Sequence, residues 1–357
     1  VMPGLATAAE PQSLHLLGRS MVQDYRVDLD AADRRWLREK GVLRLGASAP
    51  DYPPFDLTLN QHDYEGLSAD YADLLAQLLN IPIEVQRYES RDAVIAALKR
   101  GDVDLLGTAN GFEAADPQLC MSNTYADDAP TLVTRQGDTR ELPANLAGKR
   151  VAMLDHYLPH QAVRDFYPLA SLQLYPSTLS AIGAVAFGQA DVYLGDSISA
   201  NYLINNNYLN NVQLADFSRL ESNPFAFAMA RDNTRLQGIV NAALRAISPG
   251  ERMTILRRWS GGGTSFTARQ GLQFSTSEQR WLAQHPKVRV AVIDDFLPLS
   301  FIDEKGEFRG LSAQVLARIS LRTGLKFEVV RGRSLGAQIQ QIKDGAVDLM
   351  AVITPSL

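Results

Sequence analysis

Cysteine is nearly absent from this chain of 357 residues: Cys120 stands alone, so no internal disulfide can form. So low a count suits a reducing cytosol and a bacterial periplasm equally well. Long apolar runs are missing too, and nothing approaches the ~18 consecutive apolar residues of a membrane-spanning helix. Positive charge is not in excess. The 35 Lys and Arg face 40 Asp and Glu, a net charge of −5, which leaves no basic footprint for nucleic acid. The pairs Arg34-Arg35 and Arg257-Arg258 read as solvated helix faces. No Gly-rich phosphate loop, Ser/His/Asp arrangement or nucleophile elbow occurs, so no catalytic residue and no cofactor is assigned. Glu113 and Asp116 are separated carboxylates with nothing else to suggest glycosidase chemistry.

What is present is ordinary globular material, 46% hydrophobic and 21% charged, enough to build real cores. The length suits two or three domains. The chain starts at Val1 and carries Ala6-Thr7-Ala8, a small-x-small pattern like the end of a secretory signal peptide, so a processed or trimmed start is expected.

The organising feature is an internal repeat. Residues 51–110 match residues 295–354 without a gap at an offset of 244. Asp51-Tyr52-Pro53-Pro54-Phe55 lies over Asp295-Phe296-Leu297-Pro298-Leu299, and Gly66-Leu67-Ser68-Ala69 over Gly310-Leu311-Ser312-Ala313. Lys99, Gly101, Val103, Asp104 and Leu105 lie over Lys343, Gly345, Val347, Asp348 and Leu349. Upstream, Arg35-Trp36-Leu37 matches Arg280-Trp281-Leu282 with one residue of slippage.

Each copy predicts the same elements. Residues 42–47 read as a strand, and Leu67, Tyr71, Leu74, Leu75 and Leu78 recur at helical spacing. A strand at 83–85, a helix at 93–98 stopped by Gly101 and a strand at 103–106 follow, which implies a parallel sheet with right-handed crossovers. The alternation continues with strands at 150–154 and 191–195 and helices at 178–187 and 197–204. A returning strand at 225–230 precedes two closing helices, 236–247 and 251–259. Asn205 to Asn207 read as a helix-ending loop, and Gly261-Gly262-Gly263-Thr264-Ser265 as a linker. The second copy stops at Leu357, before the elements that close the first, so the protein is expected to continue.

The ordered runs 51–55, Gly66-Leu67-Ser68-Ala69-Asp70, Gly101-Asp102-Val103-Asp104-Leu105, 225–233 and 247–259 resemble family 3 solute-binding proteins. The resemblance covers about residues 35–260 and restarts at about 277. Two such modules in tandem, each with an Arg-Trp-Leu helix start, resemble the BvgS/EvgS-type sensor histidine kinases. What this implies is an α/β, periplasmic-binding-protein-like (type II) bilobal Venus flytrap, two copies in tandem with the second truncated. The implied division is an N-terminal segment and linker at 1–34, a first flytrap at 35–260, a linker at 261–276 and the start of a second flytrap at 277–357. Within the first flytrap, lobe 1 takes about 35–130 and 225–260, and lobe 2 about 131–224. Hinge strands are expected near 131–135 and 225–230. The implied role is the periplasmic, ligand- or signal-sensing region of an inner-membrane kinase, homodimeric at full length. A solute-binding protein of a transporter, and a regulatory flytrap of a murein-cleaving enzyme, are the alternatives.

Such a fold binds a small molecule between its lobes. In lobe 1 the candidates are Tyr52 and Phe55, where amino-acid-binding relatives stack an aromatic on the ligand, together with Thr108 and Asn110. The Arg by which those relatives grip an α-carboxylate is missing, since no Arg lies between Arg100 and Arg135. In lobe 2 Asp196 matches the carboxylate that holds a ligand amine, and it also suits a helix N-cap. The anion cradle expected after Leu154 is replaced by Asp155, His156 and Tyr157. A free amino acid is therefore not the expected ligand; a cationic or neutral molecule, or none, is. His156 and His160 have helical chelate spacing, but Pro159 and the lack of a third ligand favour an exposed pair over a metal site.

Overall fold

The computed structural model describes residues 9–351 except 24, 139, 207–208, 210, 261–273, 297–298 and 333. The glycine-rich linker, Ala6-Thr7-Ala8, Asn207 and the Leu297-Pro298 part of the repeated loop lie outside the described residues. The chain divides into two compact units, residues 1–265 and 266–357.

In chain order the first unit runs β1 (Gln12–Leu16), α1 (Ala31–Lys40), β2 (Leu43–Ser48), β3 (Leu57–Leu59), β4 (Asp63–Glu65), α2 (Leu67–Leu79), β5 (Ile83–Tyr88), α3 (Arg91–Arg100), β6 (Leu105–Ala109), α4 (Gly111–Ala114) and β7 (Leu119–Ala126). It continues with β8 (Thr131–Arg135), β9 (Arg150–Leu154), α5 (His160–Phe166), β10 (Ser171–Tyr175), α6 (Thr178–Ala186), β11 (Val192–Gly195), α7 (Ser197–Asn205) and β12 (Val212–Phe217). The chain then returns through β13 (Phe225–Ala230), α8 (Thr234–Ala246) and α9 (Pro249–Trp259).

Two sheets make two lobes. Lobe 1 has the strand order β3-β4-β1-β5-β2-β6-β13-β7, and lobe 2 has β10-β9-β11-β8-β12. The parallel heart β5-β2-β6 is as the periodicity predicts, but the whole sheet is mixed: β1 runs antiparallel to β5, and β13 antiparallel to β6 and β7. An all-parallel sheet is therefore corrected. The returning strand β13 enters lobe 1 from the other lobe, and that forces its reversed direction. The chain crosses between lobes at 127–130 and 218–224, beside the expected hinge strands. The crossings are tied together, with Ser218 N donating to Pro130 O at 2.9 Å and Ser222 Oγ to Asp128 O at 3.2 Å.

Residues 1–34 are more than the expected linker, because β1 pairs with β4 and β5 and Leu14 joins the core. The Arg-Trp-Leu triplets sit within helices rather than at their starts. Asp30 caps α1 through Asp33 N, one turn ahead of the triplet. Asp70, fully buried on α2, gathers the N-terminal segment, a strap at Arg19, and the closing helix α9. It accepts from Arg19 N at 2.9 Å, Arg258 Nη1 at 2.6 Å and Trp259 Nε1 at 2.7 Å. Arg258 is thus tied to the core, contrary to the expectation of a solvated arginine pair. Glu65, buried, binds the Arg19 guanidinium, which also lies over the Trp259 ring.

Gly66 positions the candidate loop. Its φ of +127° and the 2.1 Å that would separate a Cβ from Phe55 O admit only glycine. Leu67 N and Ser68 N then donate to Pro54 O and Phe55 O, clamping the aromatic loop on the start of α2.

The second unit repeats the design with α10 (Thr276–Gln284), β14 (Lys287–Ile293), β15 (Asp295–Phe296), β16 (Ser300–Ile302), β17 (Phe308–Arg309), α11 (Leu311–Thr323), β18 (Lys326–Gly332), α12 (Leu335–Lys343) and β19 (Leu349–Met350). The 244-residue offset maps α2 onto α11 end to end, and the parallel order β18-β14-β19 mirrors β5-β2-β6. Val315 and Ile319 of α11 are exposed, whereas their counterparts Tyr71 and Leu75 are buried.

Asp70→Asn keeps the size and removes the charge on which three donors converge. It is expected to lower first-module stability by about 2–4 kcal/mol in urea unfolding of the whole chain followed by tryptophan fluorescence. Gln314→Ala, at the matching exposed position of the second copy, is expected to change stability by less than about 0.5 kcal/mol.

Candidate functional site

The space between the lobes is bridged from both sides. Tyr52, in the lobe 1 loop after β2, donates its hydroxyl to Asp196 Oδ1 of lobe 2 at 2.8 Å. Asp196 is 0% exposed and caps α7, its Oδ2 accepting from Ser199 N at 2.7 Å. Of the two roles weighed for Asp196 the N-cap is present, and the other carboxylate oxygen meets a side chain of the protein, Tyr52, across the cleft. A backbone bond from Phe112 N to Tyr157 O at 3.3 Å joins α4 of lobe 1 to the loop after β9. A Cβ on Gly111 would come within 2.7 Å of Leu158, so the lobes meet here at backbone distance.

Each remaining candidate already has an internal role or a buried place. Phe55 packs inward on Phe225, with ring centroids 4.2 Å apart. Thr108 donates to Asp56 Oδ1 at 2.8 Å and shares a hydrogen bond with Ser68 Oγ. Asn110 caps the short α4 in a capping box with Glu113, whose Oε2 accepts from Asn110 N at 3.0 Å. Tyr157 donates to Asp128 Oδ2 at 2.6 Å. His156 is buried beside Tyr52 and Phe112 and is not the exposed residue that its spacing suggested. His160, half-buried, points Nε2 at the Asp155 carbonyl and lies beside Phe112. Among the described residues no His, Cys, Asp and Glu cluster is arranged to hold a metal. Asp155 is half-buried, and its buried Oδ1 has no hydrogen-bond partner.

The sequence reading missed the groups that complete the site. Arg91 lies buried at the start of α3, bonded to Glu113 Oε1 at 2.9 Å, to Thr108 O and to Ser48 Oγ. A cation in the first turn of a helix opposes the helix dipole, and that is the signal that could have marked it as held by tertiary contacts. Asp56 also accepts from Tyr64, and Tyr125 completes a chain through Ser68. Asp128, in the first crossing, was not singled out; the acidic pair Asp127-Asp128 between two strands was its signal.

Asp56, Glu113 and Asp196 are thus buried and Asp128 half-buried; the first two lie beside the Arg91 guanidinium, and Asp128 lies near Asp196. Burial raises all four carboxyl pKa values, Asp196 to about 6, and Asp196 further raises Asp128. Burial, with Arg91 nearby, holds the His156 imidazole well below its ordinary value and keeps it neutral. The unpartnered buried atoms Asn110 Nδ2, His156 Nδ1, Asp128 Oδ1, Tyr193 Oη and Ser197 Oγ belong to this same region. Among the described residues the cation of this arrangement, Arg91, is already neutralised by Glu113.

The chain matches the model for bacterial extracellular solute-binding proteins, family 3, at residues 44–262 and again at 288–356. It is 39% identical over 348 residues to the virulence sensor protein BvgS of Bordetella bronchiseptica, covering 98% of this chain and 28% of that protein. The sensor protein EvgS of Escherichia coli K12 is 23% identical over 318 residues, 87% of this chain and 27% of the relative. Among solved structures, the periplasmic domain of Bordetella pertussis BvgS superposes with a TM-score of 0.75 at 39% identity, covering 95% of this chain and 66% of that one. The chain therefore spans little more than a quarter of the length of these curated sensors. The tandem flytrap architecture expected from the sequence is the one that these matches show.

A raised carboxyl pKa means that the folded form binds more protons than the unfolded chain. Its contribution is fully present below the ordinary carboxylate range and is lost as pH rises through the folded values, about 6 for Asp196. His156 acts in the opposite sense, so the wild-type slope is a difference. Asp128→Asn removes one carboxyl of the neighbouring pair Asp128 and Asp196 and leaves His156 in place. Its melting temperature relative to wild type is expected to rise steadily from about pH 5 to about pH 8 in calorimetry. A difference independent of pH would mean that the pair carries no raised proton.

Proposed function

The chain belongs to the bacterial extracellular solute-binding proteins, family 3, and on that premise we propose that it is the periplasmic sensing region of a membrane-bound sensor histidine kinase. The observation that carries this reading is the 39% identity to BvgS over 98% of the chain, which takes in both modules. A transporter's binding protein needs one module per docking event, so the duplication favours the receptor. The receptor acts as a homodimer, and change in the closure of the first flytrap is its input.

The first flytrap is closed by its own side chains. Tyr52, Thr108, Arg91 and Tyr157 are donors of the kind a ligand would engage, and they are met by Asp196, Asp56, Glu113 and Asp128. A molecule with a free carboxylate would have to displace one of these carboxylates and then share the low-dielectric interior with the other three. A cationic or neutral ligand faces no such penalty, and Asn110, Asp155, His156 and Asp196 are its contacts. A ligand shifts the equilibrium only by its preference for one state, so a module already closed is switched by whatever weakens the closed state.

Tyr52→Phe deletes the bridging hydroxyl and keeps the ring. The lost hydrogen bond is worth about 1–2 kcal/mol, roughly a five- to thirty-fold fall in the closed-to-open ratio. In the full-length receptor the variant is expected to move the basal kinase output with no ligand added, measured by autophosphorylation in membrane vesicles. In a thermal-shift panel on the chain, the twenty amino acids are expected to leave melting unchanged. A shift of several degrees with any of them, abolished by Asp196→Ala, would overturn the reading of this cleft.

A further inference from the structure

We infer that α7 carries the state of the cleft to the point where the chain leaves the first module. The two ends of the argument are on one short helix. Its N-cap, Asp196, is the residue that Tyr52 holds across the cleft. In its second turn Asn201, buried, donates Nδ2 to Ser260 O at 2.8 Å. Asn205 one turn later donates to Asn201 Oδ1 at 2.8 Å, which fixes the amide so that its nitrogen faces Ser260.

Ser260 is the C-cap of α9 and the last described residue before the segment that leads to the second module. The body of α9 belongs to lobe 1, through Trp259 and Arg258 on Asp70. The body of α7 belongs to lobe 2, where Ala200 and Leu203 pack with Ile182 and Val185. The Asn201–Ser260 bond is therefore a further contact between lobes, on the module's exit rather than in its cleft. Five residues of helix separate the two contacts, about 7.5 Å along the axis. A helix packed into its own lobe moves as one body, so a separation that breaks Tyr52–Asp196 also withdraws Asn201 from Ser260. The last carbonyls of a helix have no partner within it. Without Asn201 the end of α9 loses the side chain that satisfies it and frays.

The inference rests on the reading that the closed cleft is the working state of the first module. Hydrogen exchange on the whole chain tests both, comparing wild type, Tyr52→Phe, Asn201→Ala and Asn205→Ala. Tyr52→Phe is expected to speed exchange at least five-fold in peptides at 195–200 and, in parallel, in the last turn of α9 at 256–260. Asn201→Ala is expected to speed 256–260 alone, and Asn205→Ala to do so to a smaller degree. Faster exchange at 195–200 with 256–260 unchanged in Tyr52→Phe would overturn the role of α7 while leaving the closed-cleft reading intact. No change at 195–200 in Tyr52→Phe would overturn the closed-cleft reading, and the role of α7 with it.

Discussion

The hydrogen bond from Tyr52 to Asp196 is the contact on which the rest of the first module depends. A bilobal fold joined by two crossings has little to hold its lobes together, and their mutual affinity must come from the facing surfaces. Here the surfaces are polar, and polar groups taken out of water must find partners or cost stability. The chain supplies those partners itself. Asp196 takes Tyr52, Asp128 takes Tyr157, Asp56 takes Thr108, and Glu113 takes Arg91. These four donors are each engaged by a carboxylate of the protein.

That arrangement has an electrostatic consequence. Asp56 and Glu113 share one guanidinium, Asp128 and Asp196 have none beside them, and burial raises the pKa of every one. Neutralising part of this charge lowers the cost of keeping it out of water. The remainder of lobe 1 keeps the facing groups in place. Gly66 clamps the aromatic loop on α2, and Asp70 on the same helix binds the N-terminal strap to α9. One helix therefore orients the cleft loop at its start and anchors the two ends of the module one turn later.

Much of this was legible in the sequence, for reasons particular to each element. The repeat gave the strand and helix order, because Leu67, Tyr71, Leu74 and Leu75 face a core and cannot vary their period. Asp196 was legible twice over, as an N-cap and as a cleft residue. The absence of Arg between Arg100 and Arg135 was legible directly. It could not show that Arg91 reaches the same region from α3 only to be neutralised by Glu113, since that pairing spans 22 positions and leaves no local pattern. His156 was misjudged because its burial comes from Tyr52 and Phe112, both of the opposite lobe. The strand at 12–16 was missed because it is short, pairs with distant strands and lies in a stretch with no periodicity of its own.

The second copy shows which of these features belong to the fold and which to the cleft. At the fixed offset Gly66 becomes Gly310, again a positive-φ glycine capping the matching helix, and Ser90 becomes Ser334, again the cap of the next one. Asp104 becomes Asp348, again bonded to the backbone of the first strand. These are backbone duties, and they persist. The cleft chemistry does not: Tyr52 becomes Phe296, Asp56 becomes Ser300, Tyr64 becomes Phe308, Arg91 becomes Leu335 and Thr108 becomes Val352. A phenylalanine cannot donate to a carboxylate across a cleft, and a leucine cannot hold a buried glutamate. The two modules therefore share a scaffold, and these lobe 1 side chains of the first cleft are not kept in the second. The self-satisfied cleft is a property of the first module, acquired in side chains that the scaffold leaves free to change.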